Sequence, residues 1–296
     1  MSIERAVCNA RTSRSQAFAA TIEIPRAGVP VGTVDAMDRR RIDALLADRG
    51  LAGSRTSAAA SVRAGRVRIG RDGRRASKPS ELVPNDAELL VDEEPRYVSR
   101  GGLKLERGLD DLGGEVEGRS CLDVGASTGG FTDCLLRRGA ARVIALDVGY
   151  GQLDWRLRND PRVDVVERTN ARELRAADLP YEPALATVDV SFISLAKVLP
   201  AVVACLAPGG EIVALVKPQF ELGKGRVRGG VVRSASERRE ALLAAAGAAR
   251  DVGLSVRGFA SSGLPGPKGN RETFIWCGTD GSELEDIESA IEEVEA

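Results

Sequence analysis

The stretch "LDVGASTGGF", residues 122–131, decides the fold class. Leu122, Asp123 and Val124 read as the end of a buried strand, Gly125 as a tight turn, and Gly129 and Gly130 as the entry to a helix. That helix runs through "TGGFTDCLLRRG" and stops at Gly139. Downstream the same rhythm repeats. "RVIALDVG", "RVDVVER" and "ALATVDVSF" read as strands, "SLAKVLPAVVACL" as a helix, and Glu211 to Lys217 as a further strand. "SASERREALLAAAGAARDVG" is a long helix capped by Ser234 or Ser236, and "LSVRGFASS" and "ETFIWCG" are two last strands. Strands alternating with helices predict an α/β fold with a mostly parallel seven-stranded sheet, Rossmann-like, whose ligands bind beyond the carboxyl ends of the strands.

Upstream the composition differs. "MDRRRIDALLADRG" and "GSRTSAAASVRAG" read as two helices, with Ser54 as N-cap and Gly65 past the second end. "RVRIG" and "AELLVDE" read as short strands, which closes a small α+β unit over residues 37–96. Residues 1–36 show no sustained period and read as a flexible leader; residues 280–296 form an acidic tail, either one exposed helix or disordered. Between Arg39 and Lys78 twelve basic residues face Asp43, Asp48 and Asp72, although the whole chain of 296 residues has a net charge of −1. That asymmetry implies a polyanion gripped at one end by Arg40, Arg41, Arg55, Arg63, Arg66 and Arg68.

Histidine is absent, which excludes imidazole acid–base chemistry, Ser-His or Cys-His nucleophiles and His-ligated zinc. Five cysteines are scattered without C-x-x-C spacing, so no metal is expected and a reducing cytoplasm fits. The most apolar region, "LAKVLPAVVACLAPGGEIVALVK", is interrupted by lysine, proline and glycine, so membrane insertion is not expected.

The glycine loop lacks both G-K-[ST] and G-x-G-x-x-G, which excludes a Walker loop and a dinucleotide fingerprint. Asp147, ending the next strand, is placed to accept both hydroxyls of a ribose. A small-residue loop with a ribose acid but no diphosphate motif points to an adenosyl ligand such as S-adenosylmethionine. The residues expected to touch it are Asp123, Gly125, Ser127, Thr128, Gly129, Gly130, Phe131, Asp147, Val148, Asn170, Ala171 and Asp189. A glycine turn with a solvated Asp147 is the plainer alternative.

Lys217 sits where a buried strand meets Pro218. A lysine snorkelling from a strand end would explain it alone. Asp189, however, ends the neighbouring strand, Lys104 follows a double glycine in "SRGGLKL", and Glu272 opens the last strand. Two lysines and two carboxylates converging at the rim can do proton chemistry on an alcohol, with Lys217 as base, Lys104 and Glu272 positioning, and Asp189 holding a lysine beside the methyl donor. The Val-Ser-Phe after Asp189, in place of Pro-Pro-aromatic, disfavours a nitrogen acceptor.

These residues resemble the Lys-Asp-Lys-Glu tetrad of the FtsJ-type ribose 2′-O-methyltransferases. More narrowly, "YVSRGGLKL", "LDVGASTGGFTDCLL", "VDVSFISL", "LVKPQFE" and "GPKGN-E" together resemble the TlyA family, over about residues 39–278. The basic unit resembles the RNA-binding domain first named in ribosomal small-subunit protein four. The resemblance implies an FtsJ-like domain over 97–279 and methylation of a cytidine ribose in ribosomal RNA, with ribosomal subunits as partners. It also carries a hemolysin label, for which no strongly amphipathic surface helix speaks. A catalytically silent RNA-binding assembly factor is the other reading, and the intact tetrad argues against it.

Overall fold

The computed structural model describes residues 38–71, 73–223 and 225–296. The expected leader lies outside them. The chain divides into two compact units between Glu93 and Glu94.

The first unit runs β1 (Arg39–Arg41), α1 (Ile42–Asp48), α2 (Arg55–Arg63), β2 (Val67–Ile69), β3 (Arg74–Arg75), β4 (Leu82–Pro84) and β5 (Leu89–Val91). Ser54 caps α2, its Oγ accepting from Ser57 N at 3.1 Å. Ile42, Leu45 and Leu46 face Ala58, Val62 and Val67 in one small core, as the helical spacing requires. β1 pairs with β4, and β3, β2 and β5 form a second antiparallel sheet. Strands β1, β3 and β4 had no clear signal in the sequence because two or three residues are too few for a period.

The second unit comprises α3 (Arg100–Leu112), β6 (Ser120–Val124), α4 (Gly130–Arg137), β7 (Arg142–Leu146), α5 (Trp155–Arg158), β8 (Val163–Val166), β9 (Leu185–Val188), α6 (Leu199–Val203), β10 (Glu211–Val216), α7 (Pro218–Glu221), α8 (Ala235–Asp251), β11 (Ser255–Ser261), β12 (Thr273–Gly278) and α9 (Ile287–Glu295). Its seven-stranded sheet has the order β11-β12-β10-β9-β6-β7-β8. The five strands from β10 to the β8 edge are parallel, and β12 inserts antiparallel to β10 and β11. Side chains alternate between two apolar layers, so that Leu122 and Val124 enter one core and Cys121 the other.

Two expectations need correction. The helix expected over "SLAKVLPAVVACL" is a 3₁₀ turn, Leu195–Lys197, followed by the short α6. Pro200 has no N–H to donate, which prevents one continuous helix. The acidic tail is neither disordered nor a wholly exposed helix: Ile287 and Ile291 of α9 are buried in the main core, and the second unit extends to Ala296. Glu288, Glu292 and Glu293 occupy the outer face while the isoleucines, four apart, dock.

Candidate active site

The register of the sheet brings the tetrad together. β10 pairs with β12 up to Val216–Thr273, so one further step sets Lys217 across from Glu272. β9 pairs in parallel with both β6 and β10, which puts Asp189 and Ser191 beside the same rim. Lys104 arrives from α3, whose start is capped by the Ser99 hydroxyl accepting from Gly101 N at 3.3 Å. Gly102 is required there, because a Cβ would stand 2.3 Å from the ring of Tyr97.

The four side chains form two ion pairs. Lys104 Nζ donates to Glu272 Oε2 at 2.5 Å, and the pair is almost sealed from solvent, at 10% and 1% side-chain exposure. Lys217 Nζ lies 2.5 Å from Asp189 Oδ1 and donates to Ser191 Oγ at 2.9 Å. Glu272 Oε1 is buried without a hydrogen-bond partner among the described residues. Such an oxygen costs about 1–3 kcal/mol unless a donor reaches it, and a hydroxyl would be one.

All four residues line one cavity of about 810 Å³, together with Gly125, Ser127, Thr128, Gly130 and Phe131 of the glycine loop. This volume is in the range of ligand sites. Gly125 has φ +87°, and a Cβ on it would meet the Asp189 carbonyl oxygen at 2.5 Å. A side chain is thus excluded where the loop passes closest to the tetrad.

The remaining residues expected at the cofactor divide into two groups. Asp147 holds the loop from the side, accepting from Ser127 N at 2.8 Å and Gly149 N at 2.6 Å. Val148 is exposed, and Thr169 N donates to the Asp147 carbonyl at 3.1 Å, which brings Asn170 and Ala171 alongside. These four lie beside the cavity and do not line it. Asp123 and Gly129 do not line the cavity. Asp123 is fully buried, accepting from Thr132 N at 2.8 Å and Thr132 Oγ1 at 2.7 Å, so it braces the start of α4. Burial pushes its carboxyl up to about 7, against the opposing hydrogen bonds from Thr132. Gly129 faces Leu153 and Leu157, where a Cβ would clash at 2.8 and 2.3 Å.

Residues not anticipated form the aromatic wall. Phe192 is 91% exposed, has φ +65° and stacks at 5.3 Å on Phe220, and both line the cavity. A bulky residue in the left-handed region is strained, and the neighbouring structure must hold it. Glu221 does so by accepting from Ser194 Oγ at 2.6 Å and Leu195 N at 3.0 Å. "VDVSF" and "KPQFE" carried this signal as aromatics adjacent to tetrad residues at a strand end.

In the first unit the arginines expected to meet phosphate are mostly tied to acids. Arg40 pairs with Asp48, Arg68 with Asp92, Arg41 with Asp43 at 2.7 Å, and Arg55 with Asp43 at 3.5 Å. Arg66 donates to Ser61 Oγ at 3.2 Å. Arg63 is exposed and has no ion pair among the described residues. The exposed pairs, Arg40–Asp48 and Arg68–Asp92, are worth about 0–1 kcal/mol and exchange readily for phosphate, whereas Asp43 is buried beside Arg41 and Arg55.

A seven-stranded sheet of this order, with a glycine loop and a cavity holding two ion pairs over its carboxyl edge, defines a Rossmann-like methyltransferase domain. The model of the FtsJ-like methyltransferases matches residues 97–279. The chain belongs to that family and, by identity over most of its length, to its TlyA branch. It is 53% identical to the 16S/23S rRNA (cytidine-2′-O)-methyltransferase TlyA of Mycobacterium tuberculosis, over 81% of this chain and 90% of that one. It is 38% identical to Hemolysin A of Brachyspira hyodysenteriae, over 78% and 97%. Among solved structures, a hemolysin-named protein from Streptococcus thermophilus superposes with TM-score 0.67 at 42% identity, covering 88% of this chain and 95% of that one. No helix among the described residues is long and apolar enough to cross a membrane.

Proposed function

We propose that this protein transfers a methyl group from S-adenosylmethionine to the 2′-hydroxyl of a cytidine in ribosomal RNA, working on ribosomal subunits in the cytoplasm. The observation that carries the reading is the convergence of Lys104, Asp189, Lys217 and Glu272 on one cavity beside the glycine loop. The names of the relatives support the substrate.

The residues present fit the cofactor. Gly125 lets the loop backbone pass directly against that of Asp189, Ser127, Thr128 and Gly130 line the cavity, and Asp147 keeps free lone pairs for a ribose diol. S-adenosylmethionine supplies, when bound, a sulfonium-activated methyl group. Lys217, in its uncharged form, takes the hydroxyl proton, and Asp189 then stabilises the resulting ammonium. Ser191 fixes the amine's direction. Lys104 holds the Glu272 carboxylate in place through Oε2, and Glu272 positions the ribose so that its single hydroxyl proton goes to Lys217. General-base catalysis of this kind contributes about 10²–10⁴-fold, and alignment of the reacting atoms much of the rest. Phe192 offers a face on which the target base stacks. The basic first unit holds the RNA by its phosphates, without reading sequence.

The test incubates purified protein with ribosomal subunits and radiolabelled methyl donor, wild type beside Lys217→Ala. Label is expected in RNA, as an alkali-stable linkage at a cytidine, and absent with the variant. Label in protein or on a base would refute the assignment. Label undiminished by Lys217→Ala would refute the mechanism and leave the substrate standing.

A further inference from the structure

Glu295 is buried although it belongs to a segment whose composition reads as solvated. Its carboxylate pairs with Arg238 at 2.5 Å, with side-chain exposures of 3% and 9%. Its other oxygen lies 3.5 Å from Thr273 Oγ1. Thr273 directly follows Glu272 and pairs with Val216, which precedes Lys217. Arg238 Nη1 in turn donates to the Arg233 carbonyl at 2.9 Å. That segment walls the active cavity: Asn270 accepts from Val232 N and donates to the Gly230 carbonyl, both at 2.8 Å, and Gly230 lines the cavity. Behind Glu272 a second cavity of about 270 Å³ is lined by Glu272, Thr273 and Glu295 together.

A buried ion pair is a poor way to dock a helix, since apolar side chains of the same volume are as stabilising or more so. Ile287 and Ile291 already supply that docking. The pair therefore asks for another explanation, and its two ends reach two walls of the active site. We propose that Glu295 is a positioning residue for methyl transfer, fixing the β12 end that carries Glu272 and, through Arg238, the 230–234 segment facing it. The proposal rests on the reading of Lys217 and Glu272 given above. An ångström of misplacement at such a site slows alignment-dependent chemistry about 10²-fold.

Full-length Glu295→Gln, the double variant Arg238→Met/Glu295→Met, and Ile291→Ala as a control are compared in the methylation assay on ribosomal subunits. Single-turnover rate, cofactor and RNA affinity, and thermal stability are measured for each. The Met pair replaces the charges by apolar volume, so it folds even where the single variant does not. At saturating cofactor and RNA, both Glu295 variants are expected to fall at least tenfold in rate while both affinities stay within about twofold. Ile291→Ala is expected to lower the melting temperature but keep the rate at temperatures where it is folded. A folded Met pair with the wild-type rate overturns the proposal, as does an equal slowing by Ile291→Ala or a loss that follows affinity. Inactive wild type would instead refute the proposed function.

Discussion

Lys217 and Glu272 stand across from one another at the open end of the sheet, one step beyond the Val216–Thr273 pair that closes the β10–β12 ladder. Each carries its own counter-ion, Asp189 for the lysine and Lys104 for the carboxylate. On the proposed mechanism the base and the positioning carboxylate thereby stay separate, where a direct Lys217–Glu272 bridge would occupy both.

The Lys104–Glu272 pair is sealed enough for its two members to depend on each other. Lys104→Met leaves a buried carboxylate uncompensated and is expected to destabilise the fold by about 3–5 kcal/mol. Lys104→Met/Glu272→Gln should recover most of that loss in urea denaturation without recovering methyl transfer. A double variant no more stable than the single one would mean the pair does not act as a unit.

Phe192 gives a cleaner separation of function from stability. Its side chain is exposed, so Phe192→Ala should leave the melting temperature within a degree or two. Loss of a stacked base costs about 1–3 kcal/mol, so kcat/KM for RNA should drop between about fivefold and 150-fold. Unchanged kinetics would remove the stacking role.

Asp123 makes a prediction about pH. Its carboxyl is pushed up to about 7 in the folded protein by burial, from an ordinary carboxylate value when unfolded. Between those values the folded state binds the extra proton, so this group favours folding at low pH and stability declines as pH rises from about 4 to about 7. Asp123→Asn cannot titrate, and its unfolding free energy should be flatter across that window in denaturant titrations. An identical slope in both proteins would show that Asp123 does not titrate there.

Of the six arginines expected to meet phosphate, Arg63 is exposed and paired with no acid among the described residues, while acids engage Arg40, Arg41, Arg55 and Arg68. Arg63→Glu should weaken RNA binding and lower the slope of log affinity against log salt by about one, with cofactor affinity unchanged. Filter binding at several salt concentrations measures it. An equal fall in cofactor affinity would contradict a division of labour between the units.

Much of the site was legible in the linear chain because local rules wrote it. A strand ending at a glycine loop, Ser54 at a helix start, and acids or lysines at strand ends are signals spanning a few residues. Asp123 misled the same rules. At a strand end before a glycine loop it looks like a ligand group, and only the approach of Thr132 and Thr187 makes it a buried brace. The charge run of the first unit read as available to phosphate, but where each arginine finds an aspartate depends on strand pairings too short to have a period.

By itself, then, the order of residues determined the α/β alternation, the absence of imidazole chemistry and the identity of three groups at strand ends and of Lys104 after its double glycine, since hydrophobic period and residue type are properties of short segments. Tertiary structure alone decided which lysine faces which carboxylate, that Phe192 is turned outward in a strained conformation, and that an acidic segment buries Glu295 behind the site. Those depend on sheet register and on desolvation by residues as many as 168 positions apart, as Lys104 and Glu272 are. Neither quantity exists until the chain has closed on itself.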